Sequence, residues 1–211
     1  MKNKFWLIIA IIALIGFSTT ACDPGGDDEV IYELGDKGPG GGIIFYRDLS
    51  GFTVQGHESF GSSYTAKYLE AAPENSGTDV LWSDDTTLIN GLTTWSGIDA
   101  MVAGLQSSIG SGRRDTRIIV AYLTGKETDS AAQLAAAATF GGYNDWFLPS
   151  LGELNLLYEN RDYVGNMGIN GYWSSSQETD FRAWGYIFGL SDPVFRGSKS
   201  QTDNVRAIRA F

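Results

Sequence analysis

The sequence is short of the residues that most catalytic and metal sites use. It contains one histidine, His57, and one cysteine, Cys22. A zinc site needs a cluster of nitrogen and sulfur ligands, so none is expected. A Ser-His-Asp triad would have to use His57, and no nucleophile-elbow sequence surrounds the candidate hydroxyls Ser174–Ser176. We therefore interpret His57 as a surface-loop residue and predict a protein that is not an enzyme and has no bound cofactor.

Positive charge is also scarce. The chain has 15 basic and 25 acidic residues, and removal of residues 1–21 would leave 13 and 25, a net charge of −12. Such a surface repels phosphate backbones, so binding to nucleic acid is not expected. The same charge argues against polyanionic glycans as the main ligand.

The N-terminus has the layout of a secretory signal peptide. Lys2 and Lys4 precede the uncharged apolar run Phe5–Phe17, and small residues then lead to Cys22. The run is shorter than the roughly 20 apolar residues that span a bilayer.

The position of the single cysteine predicts a lipid anchor. A lone cysteine forms no internal disulfide, and Thr19–Cys22 resembles a bacterial lipobox. We expect cleavage after residue 21, diacylglycerol on Cys22, and a flexible tether over residues 22–34. Each buried acyl methylene contributes about 0.8 kcal/mol, so the protein is expected in the cell envelope, at the outer membrane or cell surface. An ordinary secreted protein with a free or dimerising thiol remains the alternative.

Hydrophobic periodicity predicts strands at both ends of the domain and helices in the middle. The predicted strands are residues 43–46, 64–72, 81–83, 172–176, 183–189 and 205–211. The predicted helices are 115–124, one from the capping box at Ser130 to the glycines at 141–142, and one from the capping box at Ser150 to about Asn160. Residues 84–112 are expected to form long loops and 192–204 a polar connection. This order favours an α+β fold.

Three stretches together resemble a known family. They are Gly38–Tyr46, Gly141–Asn155, and the closing segments Tyr172–Ser176, Ala183–Trp184 and Val205–Arg209. The chain is similar over residues 35–211 to the bacterial domain of unknown function 1566, which is also the C-terminal domain of the Legionella collagen-like adhesin. The resemblance implies a C-type-lectin-like fold, with paired N- and C-terminal strands and long loops, and a role in surface display and adhesion. Pro73-Glu74-Asn75 and Asn144-Asp145-Trp146 reverse the calcium-lectin motifs, so calcium-dependent sugar binding does not carry over.

The candidate ligand-binding surface consists of the loops 84–112, 167–171 and 181–199. Its candidate residues, expected to bind a glycan or a host or bacterial surface protein, are Trp95, Asp84, Asp85, Asp192 and Arg196. Trp173 and Trp184 lie in predicted strands and are expected in the core.

Three further hypotheses remain open. Calcium could use Asp84, Asp85, Asp192, Asp203 and Asn204, although their spacing is irregular. A structural envelope protein is one alternative to the lectin-like module. A glycoside hydrolase is another, and it needs two carboxyls about 5 to 9 Å apart across a cleft. Its candidates are Asp84, Asp85, Asp145, Glu153 and Asp180.

Overall fold

The structure is a computed structural model that describes residues 30–94, 97, 104 and 108–211. The predicted signal peptide, Cys22 and Trp95 lie outside the described residues. One compact unit spans Tyr32–Phe211. The Tyr32 ring, from the predicted tether, packs edge-on against Tyr68 and Phe211 at centroid distances of 5.4 and 5.7 Å. In the part of the chain that is described, no helix has the length and apolar character needed to cross a membrane.

The described residues form eight strands and four helices, which confirms a mixed α and β architecture. The strands are β1 (Ile43–Val54), β2 (Tyr64–Ala71), β3 (Gly77–Leu81), β4 (Gly171–Gln177), β5 (Arg182–Ile187), β6 (Val194–Ser198), β7 (Thr202–Val205) and β8 (Ile208–Ala210). The helices are α1 (Gly112–Leu123), α2 (Ala131–Ala137), α3 (Leu151–Glu159) and α4 (Arg161–Val164).

The strands form two sheets. The smaller has the order β1-β2-β8 and the larger β3-β7-β4-β5-β6. The expected direct pairing of the first and last strands is wrong, because β2 lies between β1 and β8. A local hairpin pairs Ile43 with Ala71, and β8 takes the other edge of β2 by pairing Ala210 with Leu69.

The larger sheet has an apolar core on each face. On β4, Tyr172 belongs to the core shared with α3 and the smaller sheet, whereas Trp173 belongs to the core shared with α1 and α2. Trp173 and Trp184 are fully buried, which confirms their predicted place in the core. The two adjacent residues face different cores because successive side chains of a strand point to opposite faces.

The capping boxes locate the starts of two helices correctly. The Ser130 amide donates to the Gln133 side chain (3.1 Å) at the start of α2. At the start of α3, the Ser150 amide donates to Glu153 (2.7 Å), and the Glu153 amide donates to the Ser150 hydroxyl (3.2 Å). These starts depend on bonds between residues three apart, which is why a local pattern finds them.

Several boundaries differ from the prediction. Strand β1 continues to Val54, beyond the predicted end at residue 46, and the predicted terminal strand 205–211 is divided between β7 and β8. Helix α2 ends at Ala137 because Ala138 is extended, and the glycines at 141–142 instead form the turn that brings Phe140 opposite Tyr143. Strand β3 ends at Leu81, where the predicted strand 81–83 begins. The predicted polar connection 192–204 contains β6 and β7. Both strands are short and partly polar, so the pattern of apolar residues in the sequence did not indicate them.

Candidate functional site

Asp84 and Asp85 lie on the surface just after β3. The Asp85 carboxylate accepts hydrogen bonds from the Thr87 amide (2.8 Å), the Tyr122 hydroxyl (3.2 Å) and Lys126 Nζ (3.1 Å). The bonds from Thr87, together with Lys126, hold the pKa of Asp85 well below its usual range. The exposed Asp84 donates its amide to the Glu127 carboxylate (3.0 Å). Asp85 is therefore bonded into the start of the loop.

Arg196 lies in the edge strand β6, where it ion-pairs with Glu178, the residue after β4. Its Nη1 atom is 2.7 Å from Glu178 Oε1. The Arg196 side chain is 44% exposed to solvent, whereas the Glu178 side chain is 5% exposed. Sequence reasoning identified the exposed arginine but missed its buried carboxylate partner.

The structure does not gather the four described candidate ligand residues, Asp84, Asp85, Asp192 and Arg196, into one site. The exposed Asp192 precedes β6, whereas Lys199, which contacts the start of the long loop, follows it. A five-residue strand spans about 17 Å, so Asp192 lies at the other end of the sheet edge. Trp95 lies outside the described residues. The residue before it, Thr94, is bridged to Gln177 at the end of β4.

A buried glutamine and a buried lysine fix the start of the long loop. The Gln177 side chain donates to the Ile89 carbonyl (2.5 Å) and to the Thr94 hydroxyl (3.2 Å). Lys199 Nζ donates to the Thr87 carbonyl (3.0 Å) and to Gln177 Oε1 (3.3 Å). Desolvation lowers the pKa of Lys199 to about 8. Burying such polar groups is costly unless they are bonded, so these bonds give the loop a defined starting path.

The residues just before α1 are fixed by the N-terminus of α3. Glu153 is fully buried and accepts from the Gly110 amide (2.8 Å) and the Ser150 amide (2.7 Å). The Ser108 carbonyl accepts from the Ser150 hydroxyl (2.7 Å), and the Ser108 hydroxyl accepts from the Gly152 amide (2.9 Å). Burial raises the pKa of Glu153 to about 7.

These two sets of bonds define a feature that we call the polar layer. It consists of buried polar residues just before or within α1 and α3 and at the end of β4, together with Lys199: Ser108, Asp115, Ser150, Glu153, Gln177 and Lys199. Asp115 joins it by accepting from the Thr93 amide (3.4 Å). The polar layer holds the described residues on both sides of the segment 95–107. Only the capping motif at Ser150 signalled it in the sequence, because its other members are far apart along the chain.

The candidate catalytic groups have structural partners. Glu153 serves as the predicted helix cap, and Asp145 ion-pairs with Arg209 at 2.9 Å. The Ser174 hydroxyl donates to the Trp184 carbonyl (2.7 Å), and the Ser176 hydroxyl accepts from the Leu151 amide (3.1 Å). His57 is exposed, as predicted for a surface-loop residue, and stacks on Phe60.

The calcium hypothesis gains no cluster of ligands. Over residues 30–94 and 108–211, together with 97 and 104, no group of three or more His, Cys, Asp or Glu side chains is placed to hold a metal ion. Asp203, one of the candidate ligands, instead accepts from Gln201 (2.8 Å). The calcium site remains a prediction.

Residues from each of the three stretches that resemble the family meet at one structural junction. The fully buried Glu70 accepts from the Gly40 amide (3.1 Å), the Gly42 amide (2.8 Å) and Arg209 (3.3 Å). Arg209 also ion-pairs with Asp145, and its guanidinium lies 3.9 Å from the Tyr143 ring centroid. The glycine turn, the central motif and the terminal strand are therefore joined by one buried carboxylate and one arginine.

Comparisons with known proteins give a fold and no family. No protein-family model and no curated protein matches the chain. A solved structure with a similar fold is that of a fimbrial protein from Bacteroides ovatus ATCC 8483, with a TM-score of 0.52 and 16% sequence identity. The similarity covers 81% of this chain and 44% of the fimbrial chain, so this chain spans less than half of that protein's length. At this level of identity, the likeness concerns the fold alone.

Proposed function

We propose that this chain is a lipid-anchored protein of the bacterial envelope, at the outer membrane or cell surface, whose domain is a non-enzymatic, adhesin-type binding module. The observation that carries the proposal is the polar layer, which fixes residues 87–94 and 108–110 on the two sides of the segment that contains Trp95. Binding residues are commonly carried by loops that a rigid scaffold positions. Fixing the loop ends before binding also reduces the entropy lost on association.

The comparison with the fimbrial protein is compatible with a place on the bacterial surface. Fimbriae are surface structures, and that protein shares the fold of most of this chain. We extend the surface location to this chain as part of the proposal. The anchor is the predicted lipid on Cys22.

We further propose that the fold is C-type-lectin-like and that the chain belongs to the family of domain of unknown function 1566. Two observations support this. The first and last strands share one sheet around β2, with the helices between them in the chain. Residues from each of the three stretches that resemble the family contact Glu70 or Arg209.

A protein partner is the second candidate ligand, and one surface favours it. Ile169 and Leu190 are 78% and 51% exposed. Their loops adjoin, because the Gly189 amide donates to the Ile169 carbonyl (3.1 Å). Exposed apolar side chains of this kind are typical of protein contacts when they form a patch. The alternative function is thus a structural envelope protein bound to another bacterial surface protein.

The proposal is tested by binding of Asp23–Phe211 to a panel of glycans and extracellular-matrix proteins. This segment contains the whole compact unit. Saturable binding that Trp95→Ala abolishes would support the loop as the binding surface, and Trp184→Phe, a conservative change in the core, serves as the matched control. Loss of binding in EDTA would add calcium. Binding only to bacterial surface proteins would favour the second candidate.

A further inference from the structure

A cavity of about 360 Å³ lies between the turn before β1, strand β1 itself and helix α4. We call it the Tyr163 cavity, and the residues that line it include Glu33, Leu34, Arg47, Asn160 and Tyr163. Its volume is within the range of roughly 300–1,000 Å³ that is typical of small-molecule sites. None of these residues belongs to the predicted ligand-binding loops, so the cavity is a second surface that the sequence pattern did not indicate.

Backbone hydrogen bonds and one glycine build the walls of the Tyr163 cavity. The Gly35 amide donates to the Ile44 carbonyl and the Ile44 amide donates to the Asp36 carbonyl, both at 2.9 Å, and these bonds fix the turn against β1. At the start of α4, the Tyr163 amide donates to the Asn160 carbonyl (3.1 Å). A Cβ on Gly35 would lie 3.1 Å from Tyr163 Cδ1, so a larger residue would crowd the ring. The walls are therefore formed without a ligand, which reduces the entropy lost on association.

Arg47 and Asn160 bring accessible polar atoms that have no other partner within the described residues. The Arg47 Nη1 atom donates to the Tyr32 carbonyl (3.4 Å) and ion-pairs with Glu33, which leaves the donors on Nε and Nη2. The Asn160 Nδ2 atom donates to the Leu156 carbonyl (3.0 Å), which leaves the acceptor Oδ1. The Arg47 side chain is 30% exposed and Asn160 is half-buried, so a ligand from solvent can reach both residues.

We propose that the Tyr163 cavity binds a neutral saccharide directly, without calcium, an inference that rests on the proposed binding-module function. Tyr163 is 55% exposed, and its ring packs against the apolar face of the sugar ring. A sugar hydroxyl donates one hydrogen bond and accepts two, so neighbouring hydroxyls accept from Arg47 and donate to Asn160 Oδ1. Aromatic walls with a few polar groups are a common composition of small-ligand sites.

The charge balance of the Tyr163 cavity favours a neutral sugar over an acidic one. Arg47 and Glu33 are the charged residues that line the cavity, and they are paired with each other. An acidic ligand would have to displace the Glu33 carboxylate from Arg47 and would be repelled by it. The net charge of −10 on the whole chain adds to this repulsion. Binding of acidic sugars alone is therefore an outcome that would contradict the proposal.

The test measures binding by saturation-transfer difference NMR on the full chain, in a detergent without sugar groups. The probes are free glucose, galactose, mannose, fucose and N-acetylglucosamine, with sialic acid and glucuronic acid as the contrasting set. Titration of the strongest probe gives a dissociation constant for each variant. We expect at least one neutral sugar to bind, and its dissociation constant to be unchanged by EDTA.

Two substitutions in the Tyr163 cavity have matched controls. Tyr163→Ala removes the exposed ring and should weaken sugar binding about tenfold, whereas Tyr163→Phe keeps the ring and should bind as the wild type does. Leu49→Ala removes an apolar side chain that is 50% exposed on β1, outside the cavity, and should leave binding unchanged. Arg47→Lys keeps the charge beside Glu33 but removes the planar set of donors, so binding should also weaken about tenfold. Its control is Arg117→Lys on α1. These side chains are exposed or half-buried, so every melting temperature should stay close to that of the wild type.

Each outcome decides the proposal. Weaker binding of a neutral sugar by both Tyr163→Ala and Arg47→Lys, with the controls intact, supports it. An unchanged dissociation constant in either of these two variants would overturn the site, and if binding is lost instead in Trp95→Ala, the binding-module function still stands. Binding restricted to the acidic probes, or no sugar binding by the wild-type chain, would also overturn it, and in the latter case binding to the matrix panel decides the broader function separately.

Discussion

Glu153 is expected to make the stability of the domain depend on pH in a specific direction. Burial raises the pKa of this carboxyl from 4.5 to about 7, so the folded state binds its proton more tightly than the unfolded state does. The contribution of Glu153 to stability is then fully present below pH 4.5 and is lost as the pH rises through about 7. At about 1.4 kcal/mol per pKa unit, the loss is about 3 kcal/mol.

The measurement is urea unfolding followed by tryptophan fluorescence between pH 4 and 8. Other carboxyls also titrate, so the informative quantity is the difference in unfolding free energy between the wild type and Glu153→Gln at each pH. This difference should fall by about 3 kcal/mol from pH 4.5 to 7.5.

A matched control removes a bond in the polar layer without removing a titratable group. Ser108→Ala deletes the hydroxyl that accepts from the Gly152 amide, and it should lower stability by about 1 kcal/mol at every pH. A wild-type curve parallel to that of Glu153→Gln would refute the account of Glu153 as a buried carboxyl with a raised pKa.

Three other predictions concern the junction and the anchor. Gly42→Ala places a Cβ 1.9 Å from the Ala71 carbonyl oxygen and should destabilise the domain by about 3 kcal/mol or more. In the control Gly142→Ala, the added Cβ meets open space at φ +84°, and the change should destabilise the domain by about 1 kcal/mol. Equal melting temperatures of the two variants would contradict this prediction. Arg209→Met leaves the buried Glu70 without its cation and should cost about 3 kcal/mol in urea unfolding; an unchanged midpoint would argue against the junction. Cys22→Ser should abolish labelling by radioactive palmitate and release the chain from membranes, and a variant that is still labelled would refute the lipid anchor.

Local patterns in the sequence were enough to predict several elements. The starts of α2 and α3 depend on bonds between residues three apart, and the buried tryptophans of β4 and β5 follow strand alternation. The mixed α and β class follows from the order of such elements. Each of these features is decided within about ten neighbouring residues.

Features that depend on distant residues could not be predicted in the same way. Gln177 and Lys199 hold a loop whose bonded residues precede them by more than 80 positions, and neither has a motif around it. The sequence pattern did not predict strands β6 and β7. They contain polar residues such as Arg196 and Asp203, and backbone pairing with β5 and β3, not burial of apolar side chains, holds these positions in the sheet. The Tyr163 cavity brings residues of the first turn beside α4 and has no sequence signal.

The central claim, a module that binds a surface ligand without transforming it, is tested most directly by one titration. Asp23–Phe211 is added at rising concentration to the immobilised glycan and matrix-protein panel, and each bound ligand is then recovered and examined by mass spectrometry. The account predicts saturable binding to at least one ligand, which is recovered chemically unchanged. A folded domain that binds nothing on the panel, or a ligand that is recovered cleaved, would contradict it.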